Sequence, residues 1–216
     1  MSGAYPTGMP KVDSENFAET RRWVEEYARS HNLFPQHVFQ VRDLSLKIFA
    51  QIEPTVSFPP KAALWLECAA LLHDIALKDG AQAHHKRARD RIMAMDIPGL
   101  NERERAIVAC IARYHRRAHP SPQHRVYRDL NARDQGVVQR LSAVLRIADG
   151  LDRSHQSTVK NIVLEKEQGG YVLTVYQSPL CAEDVEGALR KSTLFEDVFQ
   201  KRLRIVAEPI SALGSE

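Results

Sequence analysis

The chain has little cysteine. Only Cys68, Cys110 and Cys181 occur in 216 residues, an odd number spaced far apart. That excludes a disulfide framework, and Cys68 and Cys110 fall in apolar helical stretches where a free thiol behaves as a small hydrophobe. A reducing compartment is therefore expected. The chain also lacks any apolar run of the roughly 18 residues that a membrane span requires, and MSGAYPTGMPK carries no apolar signal core. A cytoplasmic protein with no membrane partner is expected. One-signed charge is missing too: the net charge is +3, and no Lys/Arg block is long enough to form a basic tail, which argues against nucleic acid as a partner. There is no internal repeat and no low-complexity tract. What remains is an ordinary globular composition, 44% hydrophobic and 26% charged, enough for one good-sized core or a core with a small appendage.

Punctuation by Pro, Gly and capping residues divides the chain. Residues 1–12 are rich in Gly and Pro and are expected to be loose. Asp13 or Ser14 can cap a first helix running to about Ser30, and Pro35 opens a second that ends before Pro54. Pro59 and Pro60 start a third helix, expected to stop near Gly80. A fourth spans roughly Ala81–Met95, and Asn101 caps a fifth, NERERAIVACIARYH. After a loop with Pro120 and Pro122, a long helix runs from about Asp134 to Arg153. The period then changes: VKNIVLEKE and YVLTVYQ flank Gly169–Gly170 as a hairpin, AEDVEGALRKSTLFEDVFQK reads as helix and RLRIVAEP as a closing strand. The expectation is a mainly α chain: a helical domain over residues 13–156, then a small C-terminal α/β module (β-β-α-β) over 157–216.

Several polar side chains point the wrong way for solvent. In LLHDIALKDG, residues 71–80, His73 and Asp74 follow the apolar run KAALWLECAALL and enter the interior. His37 continues the stripe of Val41, Leu44 and Ile48; His115 that of Ile107 and Ile111; Asp149 that of Leu141 and Leu145. His85 shares a face with Ala88 and Ile92, whereas His84 shares one with Arg87 and Arg91. Each buried imidazole left unpaired costs about 1–3 kcal/mol, and an ionised carboxylate more. Six such groups together cost roughly 10 kcal/mol, comparable to the whole net stability of a domain, about 5–15 kcal/mol. Imidazoles and carboxylates gathered in this way are a ligand set for Mn, Fe, Ni or Zn.

These residues, in this order, resemble the HD superfamily of metal-dependent phosphohydrolases, whose pattern is a lone His, a later His–Asp pair and a distant Asp. Here those are His37, His73–Asp74 and Asp149. A narrower likeness covers nearly the whole chain. LLHDIA, HHKRARDRI, RYHRRAHP, LRIADGLDRSH and ALRKSTLFEDVFQKRLRIV are similar to the C-terminal half of the exopolyphosphatase/guanosine-pentaphosphate phosphatase family. In that family an HD-type helical domain precedes a small α/β piece. The family's N-terminal actin-like domain, which carries its polyphosphate hydrolysis, has no counterpart in these residues, so that activity is not carried over.

The resemblance implies a divalent-metal site of one or two ions (Mn, Mg, Fe, Ni or Zn). Asp74 would bridge, with His37, His73 and Asp149 on one ion and His85 and His115 on the other. His84 is the alternative to His85, because a half-turn error in helix phase exchanges them. His73 and Asp74 are expected in catalysis, with Lys78 and Arg116 the best candidates among the neighbouring cations for holding phosphate. The implied function is hydrolysis of phosphoester or phosphoanhydride bonds in a nucleotide or (p)ppGpp-like small molecule. A second class of function is a non-catalytic module, pinned by metal, that senses nucleotide or polyphosphate. The amphipathic helix of the C-terminal module leaves a homodimer open. His31, His119, His124 and His155 read as solvated, and Trp23, Trp65, Phe195 and Phe199 as core.

Overall fold

The computed structural model of the protein describes residues 17–213. The loose segment expected at 1–12 and the proposed caps Asp13 and Ser14 lie outside the described residues. Helix α1 (Ala18–His31) is followed by α2 (Pro35–Ile52), whose Pro35 occupies a first-turn position where a missing N–H costs nothing. Next comes α3 (Ala62–Leu72), AALWLECAALL, which is apolar almost all round. It is accordingly the central element, packed by α1, α2, α5 and α7. Its one acidic residue, Glu67, is buried and receives Arg21 Nε at 2.8 Å.

Helix α4 (His84–Ala94) precedes α5 (Glu102–Arg113). Asn101 caps α5 with a reciprocal box: its side chain accepts from Glu104 N at 3.0 Å, and Glu104 accepts from Asn101 N at 3.1 Å. The stretch expected as loop contains a short helix, α6 (Arg125–Arg128). Helix α7 (Ala132–Gly150) is capped by Asn131 and starts earlier than expected. Strands β1 (Val159–Glu167) and β2 (Gly170–Gln177) form the hairpin, with Gly169 at φ +103° in the turn, where a side chain would be strained. Helices α8 (Ala182–Lys191) and α9 (Thr193–Phe199) then cross over to β3 (Arg202–Pro209), which pairs in parallel with β2. The sheet order is β1-β2-β3. The chain is thus mainly α with a small C-terminal sheet.

Two joints fix the sheet elements to the helices. Gln40 Nε2 donates to Val159 O at 2.6 Å, and Gln51 Oε1 accepts from Leu164 N at 2.7 Å, tying β1 to α2. On the other side α8 lies on α7 through Gly187 and Ala188 against Gly150, where an added Cβ on either glycine would collide with the facing backbone. Trp65 and Phe195 are core residues. Among the described residues no helix is long and apolar enough to cross a membrane.

Two helices end earlier than their sequence pattern implies. Helix α3 stops at Leu72, and the chain continues through tight turns into a single 3-10 turn, Leu77–Asp79, before Gly80 at φ +108°. Helix α5 stops at Arg113. In both, a histidine beyond the end bonds back to a late carbonyl: His73 Nδ1 to Ala70 O and His115 Nδ1 to Ala112 O, each 2.7 Å. These imidazoles thereby bond to carbonyls of the last helical turn.

Candidate metal centre

The ends of α3 and α5, the start of α4 and the inner faces of α2 and α7 meet at one point. His37 comes from α2, His73 and Asp74 from the turn after α3, His84 from the first position of α4, His115 from the turn after α5 and Asp149 from α7. Asp74 is only partly exposed, and all the others are buried.

The imidazoles share one arrangement. His73, His84 and His115 each hold Nδ1 against the carbonyl three residues earlier, at 2.7, 2.9 and 2.7 Å. His37 Nδ1 instead donates to Asp152 Oδ2 at 2.8 Å. An Nδ1–H engaged in this way fixes the tautomer and leaves the Nε2 lone pair free, as outer partners of metal-bound histidines do. The four Nε2 atoms all face inward. His84 Nε2 lies 3.4 Å from His115 Nε2 and 3.0 Å from Asp74 Oδ1, and His115 Nε2 is 3.6 Å from the same oxygen. His37 Nε2 and His73 Nε2 lie 3.4 and 3.8 Å from Asp149 Oδ1. His37 Nε2, His73 Nε2 and Asp74 Oδ1 are buried with no hydrogen-bond partner.

Lone pairs converging at such distances repel unless a proton or a cation stands between them. Three overlapping groups have ligand atoms within 4.8 Å of one another: His37, His73 and Asp74; His73, His115 and Asp149; and Asp74, His84 and His115. This spacing and this donor set fit a divalent ion, or two that share Asp74.

Protonation follows from the same contacts. Burial lowers the pKa of His73 and, further, that of His115, outweighing the nearby carboxylates, so both rings stay neutral. Burial also acts to lower His37, but the facing Asp149 carboxylate and the hydrogen bond to Asp152 win and raise it to about 9. Burial alone would raise Asp149, yet Lys191, His37 and the other imidazoles hold it well below the carboxylate range. Burial would raise Asp74 too, yet the facing imidazoles of His73, His84 and His115 lower it.

Most of the expected residues come together, and two do not. His85 belongs to none of these groups, and its ring centroid lies 6.4 Å from that of His115. The buried stripe of α4 steps by four, through His84, Ala88 and Ile92, so His84 takes the inward place. Burial, the neighbouring His84 and the guanidinium charges of Arg116 and Arg113 push His85 down to about 4. Lys78 also misses the cluster. Because α3 ends at Leu72, helical spacing no longer carries Lys78 over Asp74; it is exposed and donates to Ser30 O at 3.4 Å. Arg116 does reach the edge, with Nη1 3.5 Å from His84 Nε2.

Sequence reasoning missed three further neighbours. Asp152 lies in the turn beyond α7, where it orients His37 and accepts from Ser157 N at 2.8 Å. Arg146 Nη1 donates to Tyr114 O at 3.0 Å. His155 is exposed, as expected, and also stacks on His37 with centroids 4.0 Å apart. Lys191, at the end of α8, forms an ion pair with Asp149. Asp152 and His155 sit within DGLDRSH close to Asp149, which is a local hint; Lys191 offers none.

A family model described as Ppx/GppA phosphatase, domain III, matches residues 20–186. The chain belongs to that family. The matched span of this Ppx/GppA domain III contains every residue of the histidine and carboxylate cluster, and Lys191 lies beyond it. Membership relates the chain to phosphatases, and its buried cluster is one that could hold a metal.

Proposed function

We propose that this protein is a metal-dependent phosphohydrolase of the HD type. It would cleave phosphoester or phosphoanhydride bonds in a nucleotide or a (p)ppGpp-like small molecule. The observation that carries the reading is the convergence of His37, His73, Asp74, His84, His115 and Asp149, whose ligand atoms form overlapping groups within 4.8 Å of one another. His37, His73, Asp74 and Asp149 would hold one ion, and His84 and His115, with Asp74 shared, a second. A divalent cation there would polarise a phosphoryl oxygen and bring the pKa of a water near neutrality.

The chain's own residues would do the rest. The Nδ1 bonds of the imidazoles hold the rings in one orientation, so little is reorganised on binding. Arg116, at the edge of the cluster, would grip phosphate oxygens with a planar fork. Purified protein with Mn²⁺ is expected to hydrolyse members of a phosphodiester and nucleotide panel, and Asp74→Ala to abolish it. A metal-loaded protein inert across that panel would sink the enzyme reading.

One observation favours a second reading. The matching description is of one domain of a phosphatase rather than of a whole enzyme. In that case the metal pins a regulatory module that binds nucleotide without turning it over. Saturable nucleotide binding by calorimetry, with full metal content and no product, would select it.

A further inference from the structure

Lys191 is the one charged group at the cluster that the helical motif does not supply. It ends α8, beyond the span that the family model matches. Its ammonium forms an ion pair with Asp149 Oδ2, and its side chain is only 20% exposed. Asp149 is its sole ion-pair partner among the described residues. The placement is built in: Gly187 and Ala188 seat α8 directly on Gly150, next to Asp149, and Lys191 follows Gly187 by one turn on the same face. The small-residue seam therefore aims a cationic side chain at a carboxylate of the candidate metal centre.

We propose that Lys191 is an internal competitor for the metal. It holds the Asp149 carboxylate in the metal-free protein and has to leave it when a divalent ion binds, so that α8 sets the metal affinity of the helical site. This rests on the metal reading above. Asp149 Oδ1 faces His37 and His73, and Oδ2 faces Lys191, so an ion taken up by the cluster brings positive charge against the ammonium across one carboxylate. The lysine stem is flexible and already partly exposed, which gives the displaced ammonium a route to water.

The test is calorimetric titration of Mn²⁺ into the metal-free full chain, its Lys191→Met variant and its Lys191→Arg variant, with thermal melts of each with and without Mn²⁺. Methionine keeps the aliphatic stem and removes the charge. Lys191→Met is expected to bind Mn²⁺ on the order of tenfold tighter or more, with a larger metal-induced rise in Tm than wild type. Lys191→Arg, which keeps the competing charge, should bind close to wild type. Should Lys191→Met fail to fold, Lys191→Gln makes the same comparison and should tighten binding likewise. Wild-type binding with unchanged or weaker affinity in the neutral variants overturns the competition and leaves the metal reading standing. No heat and no thermal shift in any of the proteins overturns both.

Discussion

Two largely buried carboxylates, Asp184 at the start of α8 and Asp74 in the turn after α3, solve the same problem differently. Asp184 is fully buried, yet every need is met by neutral donors: Ser154 N at 2.8 Å, Ser154 Oγ at 3.2 Å and Thr158 Oγ1 at 2.6 Å. It ties the loop after α7 to the start of α8 and leaves no atom without a partner. Asp74 sits among imidazoles whose outer nitrogens are already engaged, and its Oδ1 is partnerless. Burial of an acid is therefore no mark of function in this protein.

Substitutions at both positions should separate these roles. Asp74→Ala is expected to lower phosphohydrolase activity by on the order of 10³-fold or more and to lower metal content per folded chain. Asp184→Ala should do the reverse. It strands donors that each cost about 1–3 kcal/mol, so unfolding in denaturant should show a loss of about 3 kcal/mol while metal content per folded chain stays the same. A drop in metal content with Asp184→Ala would erase the distinction.

The histidine pair sharpens it further. His84→Ala should weaken Mn²⁺ binding about 10- to 100-fold by titration, whereas His85→Ala should stay within about twofold of wild type. A smaller, graded effect is expected from pH. His37 has a pKa raised to about 9, so below that value the metal-free ring carries a proton that a ligand must release. Metal affinity should therefore rise as pH increases towards about 9, by up to about tenfold per unit, with proton uptake by the buffer on binding. Smallest of all, Lys78→Ala should change neither activity nor metal affinity measurably, since its ammonium sits on the Ser30 carbonyl. A large loss there would return Lys78 to the site.

Much of the framework was legible locally. Pro35 and the Asn101 box start α2 and α5 where expected, and the Gly169 turn joins the two strands that the change of period announced. The inward stripes carrying His37 and Asp149 were read from apolar spacing, and both residues are buried on those faces. The misses have one origin. Helical arithmetic presumes an unbroken helix, and α3 and α5 end just before the residues of interest, with imidazoles capping the carbonyls. Past that point the phase is lost, which misplaced Lys78. The choice of His85 over His84 failed for a related reason: a stripe stepping by three and four accepts either residue, and only the packing of Ala88 and Ile92 decides which one turns inward.

By itself, the order of apolar, capping and turn residues determined most of the helices and strands and that His37 and Asp149 would face the interior, because those properties depend on neighbours within a few residues. Tertiary structure alone decided which of those side chains meet, which ring nitrogen each leaves free, and that Asp152, His155 and Lys191 stand beside them. These contacts join residues far apart in sequence, His37 and Asp152 by 115 positions, and such distances are set by how the helices pack, not by any local period.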